Sequence, residues 1–198
     1  MDVVRTTRGL TVEQVLAAYP LGLFPMGYPG RKEITWHRPG VRAILPLNGL
    51  HVSHSLARRL RQADFRVSFN EDFEGVMRGC AERRPTWISA EILRVYTQLH
   101  GMGKAHSVEV WADGALAGGV YGVQIGGAFF AESKFHRVTD MSKVALVHLA
   151  RRLKERGFGL LEVQYRTGHL SQFGVVEVSH QEYVAMLAEA IARECVFP

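Results

Sequence analysis

The run Leu160-Leu-Glu-Val-Gln-Tyr165 sets a carboxylate and an amide inside apolar text. Read as a strand, its period of two sends Leu161, Val163 and Tyr165 to one face and Leu160, Glu162 and Gln164 to the other. Glu162 and Gln164 can then hydrogen-bond each other or share one substrate, although a solvated sheet face gives the same alternation. Ala128-Phe-Phe-Ala-Glu-Ser133 is a second such stretch. It puts Glu132 and Ser133 at a strand end, where sites open and where surface turns also sit. Trp87, in Arg-Pro-Thr-Trp-Ile-Ser-Ala, stands at a loop-to-helix junction, as a core plug or as a platform for stacking a base.

Several familiar chemistries are absent from the text. There is no G-x-x-x-x-G-K-[ST], no H-E-x-x-H, no G-x-S-x-G, and no G-x-G-x-x-G between a strand and a helix. His51-x-x-His54 is the one histidine pair at ligand spacing, and no acidic or cysteine companion lies near it, so no metal is expected. Gly118, Gly119, Gly122, Gly126 and Gly127 fall inside a hairpin pattern and read as close backbone approach rather than a phosphate cradle. The 2 cysteines, Cys80 and Cys195, form no disulfide framework and suit a reducing compartment.

Basic residues cluster at Arg58, Arg59, Arg61 and Arg66, at Arg83 and Arg84, at Lys134 and Arg137, and at Lys143 with Arg151, Arg152 and Lys154. With Trp87, Tyr96 and Phe135 between them, they fit phosphates held by charge and bases stacked on rings, or equally solvated helix faces. The net charge of +5 allows an anionic partner without demanding one.

These residues must be positioned by a chain of 198 residues that is 47% apolar and 22% charged, which excludes disordered and low-complexity classes. No apolar run is long enough to span a bilayer, and the first residues lack a signal-peptide core. Thr11-Val-Glu-Gln14 is a capping box opening a helix to Ala18, and Ser179-His-Gln-Glu182 opens another to about Glu194. Helices are predicted over 53–62, from a cap at Asn70 to 80, over 89–100 and over 140–156. Strands are predicted at 66–69, 106–111, 115–123, 128–133, 160–165 and 175–178, with Asp113-Gly114 as a type I′ hairpin turn. Residues 20–46 read as turn-rich, with a boundary near Pro39 that separates a small N-terminal segment (1–39) from the main domain (40–198). The element order points to an α+β fold with a mixed sheet flanked by helices rather than a doubly wound sheet.

Seven strings in order, AYPLGLFPM, ILPLNGLHVSHSLARRL, PTWISAEI, AHSVEVW, LAGGVYGV, FFAESKFHR and LEVQYRTGHL, resemble the leucyl/phenylalanyl-tRNA–protein transferase family from about residue 17 to 187. The resemblance implies a GNAT-like acyltransferase fold with an abbreviated N-terminal small domain. It implies a cytoplasmic, monomeric enzyme that moves Leu or Phe, and Met weakly, from aminoacyl-tRNA to proteins beginning with Arg or Lys, creating an N-degron. The ester is already activated, so no cofactor is expected. Carried over by motif, Glu162, Gln164 and Glu132 become the catalytic candidates. Trp87, Tyr96, Val120, Phe129 and Ser133 would form the amino-acid pocket and the seat of the terminal adenosine. Arg58, Arg59, Arg83, Arg84 and Lys143 would hold the tRNA backbone.

The chain departs from the family at Glu162, where Asp is usual, at Val120, where Met is common, and at Trp36-His-Arg-Pro39, where Trp-x-Ser-Pro is usual. Two other readings remain open at the level of sequence. One is a CoA-dependent N-acetyltransferase of the same fold, although the turn that holds pyrophosphate is missing. The other is a tRNA-binding module without catalysis.

Overall fold

Local signals in the chain set most element boundaries. The computed structural model describes residues 3–198. It begins with β1 (Val3–Arg8), α1 (Val12–Ala18), a 3-10 turn over Tyr19–Leu21, β2 (Phe24–Gly27), β3 (Glu33–His37) and β4 (Val41–Ile44). Next come α2 (His54–Leu60), β5 (Arg66–Phe69), α3 (Phe73–Ala81), α4 (Ala90–Gly101), β6 (Ala105–Ala112), β7 (Ala115–Ile125) and β8 (Ala128–His136). The chain ends with α5 (Met141–Glu155), β9 (Leu160–Gln164), α6 (Gly168–Ser171), β10 (Val176–Ser179) and α7 (His180–Ile191).

Both capping boxes form, Thr11 with Gln14 on α1 and Ser179 with Glu182 on α7. Asp113 and Gly114 take φ values of 50° and 73°, the left-handed pair that a type I′ turn requires. Gly126 turns β7 into β8 at φ 55°, and a Cβ there would lie 2.1 Å from the Ile191 carbonyl oxygen, so the close approach of α7 also demands glycine.

The strands make two sheets. A three-stranded sheet has the order β1-β3-β2, and a seven-stranded sheet the order β10-β4-β9-β8-β7-β6-β5. Among the described residues the pairing is antiparallel except between β8 and β9, which run parallel. Alternate residues of the large sheet feed two apolar clusters. Tyr121, Phe130 and Leu160 join Val76 of α3 and Ile92 of α4, whereas Val120, Phe129 and Leu161 join Val144 and Leu149 of α5. The sheet is thus mixed and covered by helices on both faces, the α+β class expected. Leu10, Tyr19, Phe24 and Trp36 from the N-terminal elements belong to the first of these clusters. No helix among the described residues is long and apolar enough to cross a membrane.

Three expectations need correction. Residues 20–46, read as turn-rich, form β2, β3 and β4. All four residues of β2 are buried, so no face is left to solvent and no alternation shows in the sequence. The cap of α3 is Asp72, whose carboxylate accepts from Gly75 N at 2.9 Å, rather than Asn70. Asn70 sits at φ 60° and its side chain instead accepts from Ser107 N at 3.0 Å, tying the end of β5 to β6. The C-terminal helix stops at Ile191, one turn earlier than read.

Candidate active site

Strands β8 and β9 pair only at their beginnings, through Ala128↔Leu160, Phe129↔Leu161 and Phe130↔Glu162. Beyond that point β8 stays with β7 while β9 pairs with β4, so the parallel pair opens into a fork. The register shifts on both arms. Tyr121 faces Ser133 and Gly122 faces Ala131, which leaves Glu132 as the extra residue of a bulge. On the other arm Val163 is the extra residue between Glu162 and Gln164. A bulge re-aims the side chains beside it, and here both bulges sit at the crotch of the fork. Gln164 closes its strand at φ 62°, a left-handed conformation uncommon for a residue with a Cβ.

A cleft of about 780 Å³ fills the fork. Its walls carry Met26, Trp87, Val120, Leu146 and Val163, and its floor carries Glu132, Ser133 and Gln164. A neighbouring groove is larger, about 1050 Å³, but its charged lining residues Arg31, Arg78, Glu82 and Arg84 are all exposed. Catalytic groups need desolvated, positioned surroundings, which the smaller cleft supplies.

Four polar side chains meet at the crotch. Tyr19 Oη donates to Glu132 Oε1 at 2.6 Å and bonds Tyr96 Oη at 2.7 Å. Gln164 Nε2 donates to Glu132 Oε2 at 3.1 Å. Burial pushes the Glu132 carboxyl up to about 8, with the nearby Glu162 charge adding to the shift and the Tyr19 and Gln164 donors opposing it. A carboxyl titrating there exchanges a proton readily at neutral pH.

Glu162 has a different role. Its Oε1 accepts from the Gln164 backbone N–H at 2.9 Å and from Arg42 Nε at 3.1 Å, with Arg42 Nη2 at 3.0 Å. Both side chains of this ion pair are 1% exposed. Burial raises the Glu162 carboxyl above its ordinary range against the pull of Arg42. Burial also works against the Arg42 charge, yet Glu162 and its neighbours hold the guanidinium above its usual value and keep it cationic. Arg42 is itself fixed by the Gly22 carbonyl at 2.6 Å, by Tyr183 Oη at 3.3 Å and by the Tyr183 ring 4.3 Å below it. The pair therefore holds the backbone of Gln164, while Glu132 holds its side chain. The two glutamates do different work: Glu162 is tied to Arg42 and to the Gln164 backbone, and Glu132 is a titratable acid.

The family model for the leucyl/phenylalanyl-tRNA protein transferases matches residues 44–188. The chain belongs to that family. Curated relatives of the same name include one from Salinibacter ruber, 49% identical over 92% of this chain and 80% of its own. Others come from Gloeobacter violaceus, 48% identical over 95% of this chain and 97% of its own, and from Rubrobacter xylanophilus, 49% identical over 95% and 98%. The protein is accordingly an aminoacyltransferase that takes its amino acid from aminoacyl-tRNA and gives it to a protein. Among solved structures, a GCN5-related N-acetyltransferase from Kribbella flavida overlaps 80% of this chain and 60% of its own at TM-score 0.43 and 12% identity, too little to bear on function.

The residues that the transferase resemblance singled out fall into three groups. Trp87, Val120, Ser133 and Arg83 line the cleft with Glu132 and Gln164. Tyr96 is wholly buried, absent from the cleft lining, and hydrogen-bonded to the Tyr19 hydroxyl. Phe129 does not face the cleft. It lies on the α5 side of the sheet, 1% exposed, stacked 5.5 Å from Phe197, and its neighbour Phe130 packs on Tyr19 instead. Arg84 lines the neighbouring groove and donates to the Ala81 carbonyl. Arg58 and Arg59 sit on α2, outside the lining of the cleft, where Arg59 pairs with Asp64 at 2.5 Å. Lys143 pairs with Asp140 at 2.8 Å in the first turn of α5.

Two site residues were missed by the sequence reading. Arg42 is a charge inside the apolar run Val-Arg-Ala-Ile-Leu, the same signal that marked Glu162. Tyr19 sits in the AYPLG string of the resemblance, with nothing local to tie it to Glu132, 113 residues away. Glu162 and Gln164 also differ from expectation in detail. Their side chains do not bond each other, because Glu162 takes the backbone N–H of Gln164 and leaves its amide for Glu132. The solvated-face reading of this strand fails, as all five residues of β9 are buried. Among the described residues no three His, Cys, Asp or Glu side chains are grouped to hold a metal ion.

Proposed function

We propose that the protein transfers Leu or Phe, and Met weakly, from aminoacyl-tRNA to the α-amine of proteins beginning with Arg or Lys, with Glu132 as the proton carrier. The observation that carries this reading is the Glu132 carboxyl, buried in the lining of an apolar-walled cleft and hydrogen-bonded by Tyr19 and Gln164, where burial pushes it up to about 8. A free α-amine titrates at about 7.7–8.0, so part of it is neutral and able to attack near neutral pH, and a carboxyl that titrates close to the working pH suits general acid–base catalysis.

The reaction needs little else. The amine nitrogen attacks the ester carbon, an amide bond forms and the bond to the ribose oxygen breaks. Glu132 accepts the proton released by the amine and returns it to the departing ribose oxygen, ending as it began. Gln164 spends one N–H on Glu132 and keeps a second to meet the negative charge that develops on the carbonyl oxygen. Glu162 and Arg42 act by fixing the Gln164 backbone. The apolar walls, with Val120 and Leu146, suit Leu, Phe and Met and leave a charged amino acid unsolvated. Trp87 offers a face for the terminal adenine, and Ser133 completes the seat of the donor. Arg83 at the cleft and Arg58, Arg59, Arg84 and Lys143 outside it carry the charge for the RNA backbone.

The choice of Arg or Lys acceptors rests on the family resemblance, and the ionised form of Glu132 would favour such an incoming cation. A protein so tagged displays an N-terminal Leu or Phe, a degradation signal in the N-degron sense, and the reaction belongs in the cytoplasm, where charged tRNA is found. The test is a transfer assay with radiolabelled Phe-tRNA and peptides that begin with Arg, Lys or Gly. Label on the Arg and Lys peptides and none on the Gly peptide supports the reading. Equal labelling of all three would overturn the acceptor rule, and labelling of none would overturn the reaction.

A further inference from the structure

Part of the lining of the same cleft is basic, and the chemistry above makes no use of Lys134 or His169. Lys134 follows Glu132 along β8 and lines the cleft, with His136 two residues further on. From the facing side α6 brings His169 to the lining, and the first turn of α5 brings Ser142, which bonds His136 Nδ1 at 3.2 Å. Lys134 makes no ion pair among the described residues, although burial, reinforced by the charge of Arg83, holds its ammonium below the ordinary lysine value. His169 Nδ1 is buried with no hydrogen-bond partner. Burial and then the charges of Lys134 and Lys143 hold the His169 ring below its ordinary value, and Asp140, the carboxylate that opposes them, is already paired with Lys143. A part-buried cation and an unpartnered ring nitrogen in one corner are costly unless a ligand completes them, and that ligand must be an anion with hydrogen-bond acceptors.

The lining of the cleft says which anion. It brings together apolar walls, the acid–amide pair and a basic group. An aminoacyl-tRNA terminus carries the matching parts, an apolar side chain, an ester and ribose, and the phosphate on the 5′ side of the last nucleoside. We propose that Lys134 and His169 bind the phosphodiester joining the last two nucleotides of the donor, and so set the depth at which the ester meets Glu132. This rests on the transferase reading above.

Two minimal donors separate the phosphate from the rest: 3′-O-phenylalanyl adenosine, and the dinucleotide CpA acylated with Phe. The native protein is expected to show a KM about tenfold lower for the dinucleotide, the size of one charge-assisted hydrogen bond. Lys134→Met should shrink that preference to within about twofold, and Lys134→Arg should restore most of it. Equal KM values in the native protein would overturn the proposal. So would a Lys134→Met protein that keeps the preference or loses affinity for both donors alike, since that marks Lys134 as a wall and not a phosphate ligand. Should Lys134→Met fail to fold, His169→Phe serves as the second variant with the same expected collapse of the ratio.

Calorimetric binding of unacylated CpA gives a readout without transfer. Loss of CpA affinity in Lys134→Met supports the site, and unchanged affinity overturns it. Inorganic phosphate displacing CpA only weakly places the ligand on RNA, whereas phosphate binding as tightly as CpA overturns the nucleotide assignment. If the native protein transfers from neither donor yet binds CpA through Lys134, the phosphate site stands and the transferase reading falls. Transfer from both donors at equal KM gives the reverse.

Discussion

Gln164 Nε2 donates a 3.1 Å hydrogen bond to Glu132 Oε2 across the fork between β8 and β9. That bond joins the two arms of the sheet at the point where their backbones stop pairing, and it links the titratable carboxyl to a strand anchored by the Glu162–Arg42 ion pair. The site is therefore held by side chains where the sheet ladder has ended, and each of its parts has a separate measurable signature.

Glu132 leaves its mark on stability as well as on rate. Its carboxyl rises from an ordinary 4.5 to about 8 in the fold. Between those values the folded state holds a proton that the unfolded chain has released, so this group's contribution is full below pH 4.5 and lost as pH rises to about 8. Glu132→Gln removes that dependence. Denaturant midpoints at acid, neutral and alkaline pH should fall toward alkaline pH for the native protein and stay flatter for the variant.

The Glu162–Arg42 pair is the structural anchor. Glu162→Gln or Arg42→Met alone leaves a charge buried without its partner, at a cost of about 3–5 kcal/mol. The double variant should cost less than the sum of the two, a coupling that chemical denaturation of all four proteins would read. Simple additivity would show that the pair is not coupled.

Tyr19→Phe removes the hydroxyl that bonds both Glu132 and Tyr96. Because the Tyr19 hydrogen bond lowers the Glu132 carboxyl, its loss lifts that carboxyl further. The pH–rate profile of transfer should shift toward alkaline pH, with the neutral-pH rate falling more than the rate on the alkaline side. An unshifted profile would separate Tyr19 from the acid.

Trp87→Ala removes the one tryptophan lining the cleft. With Trp87 as the proposed stacking face for the terminal adenine, its loss costs about 1–3 kcal/mol, which is about 5- to 150-fold in KM for the aminoacyl donor. The effect should fall on KM for donors that carry adenosine and much less on kcat, as steady-state kinetics would show.

Elements written in local code were legible in the sequence. The two capping boxes, the Asp113-Gly114 turn and the long α5 follow from signals within a few residues. The three-stranded N-terminal sheet was not legible: β2 is buried throughout and β1 is exposed almost throughout, so neither shows the alternation that marks a strand. The site was half legible for the same reason. Polar residues in apolar text marked Glu132, Glu162 and Gln164, but alternation cannot tell a polar face turned to water from one turned into a second helical layer. Two bulges then re-aimed the side chains, and no period-two rule anticipates a bulge. Arg42 lies 120 residues from Glu162, and Tyr19 lies 113 from Glu132, so only the folded sheet brings them together.

The most direct test of Glu132 as proton carrier is single-turnover transfer of labelled Phe from Phe-tRNA to a saturating Arg-started peptide, native protein against Glu132→Gln. Gln keeps the size and the hydrogen-bonding reach of the side chain but cannot carry the proton. The variant should bind Phe-tRNA like the native protein and transfer at least about 100-fold more slowly at neutral pH. A Glu132→Gln protein that transfers within about threefold of native would contradict a proton-carrying role and leave positioning as the whole of catalysis.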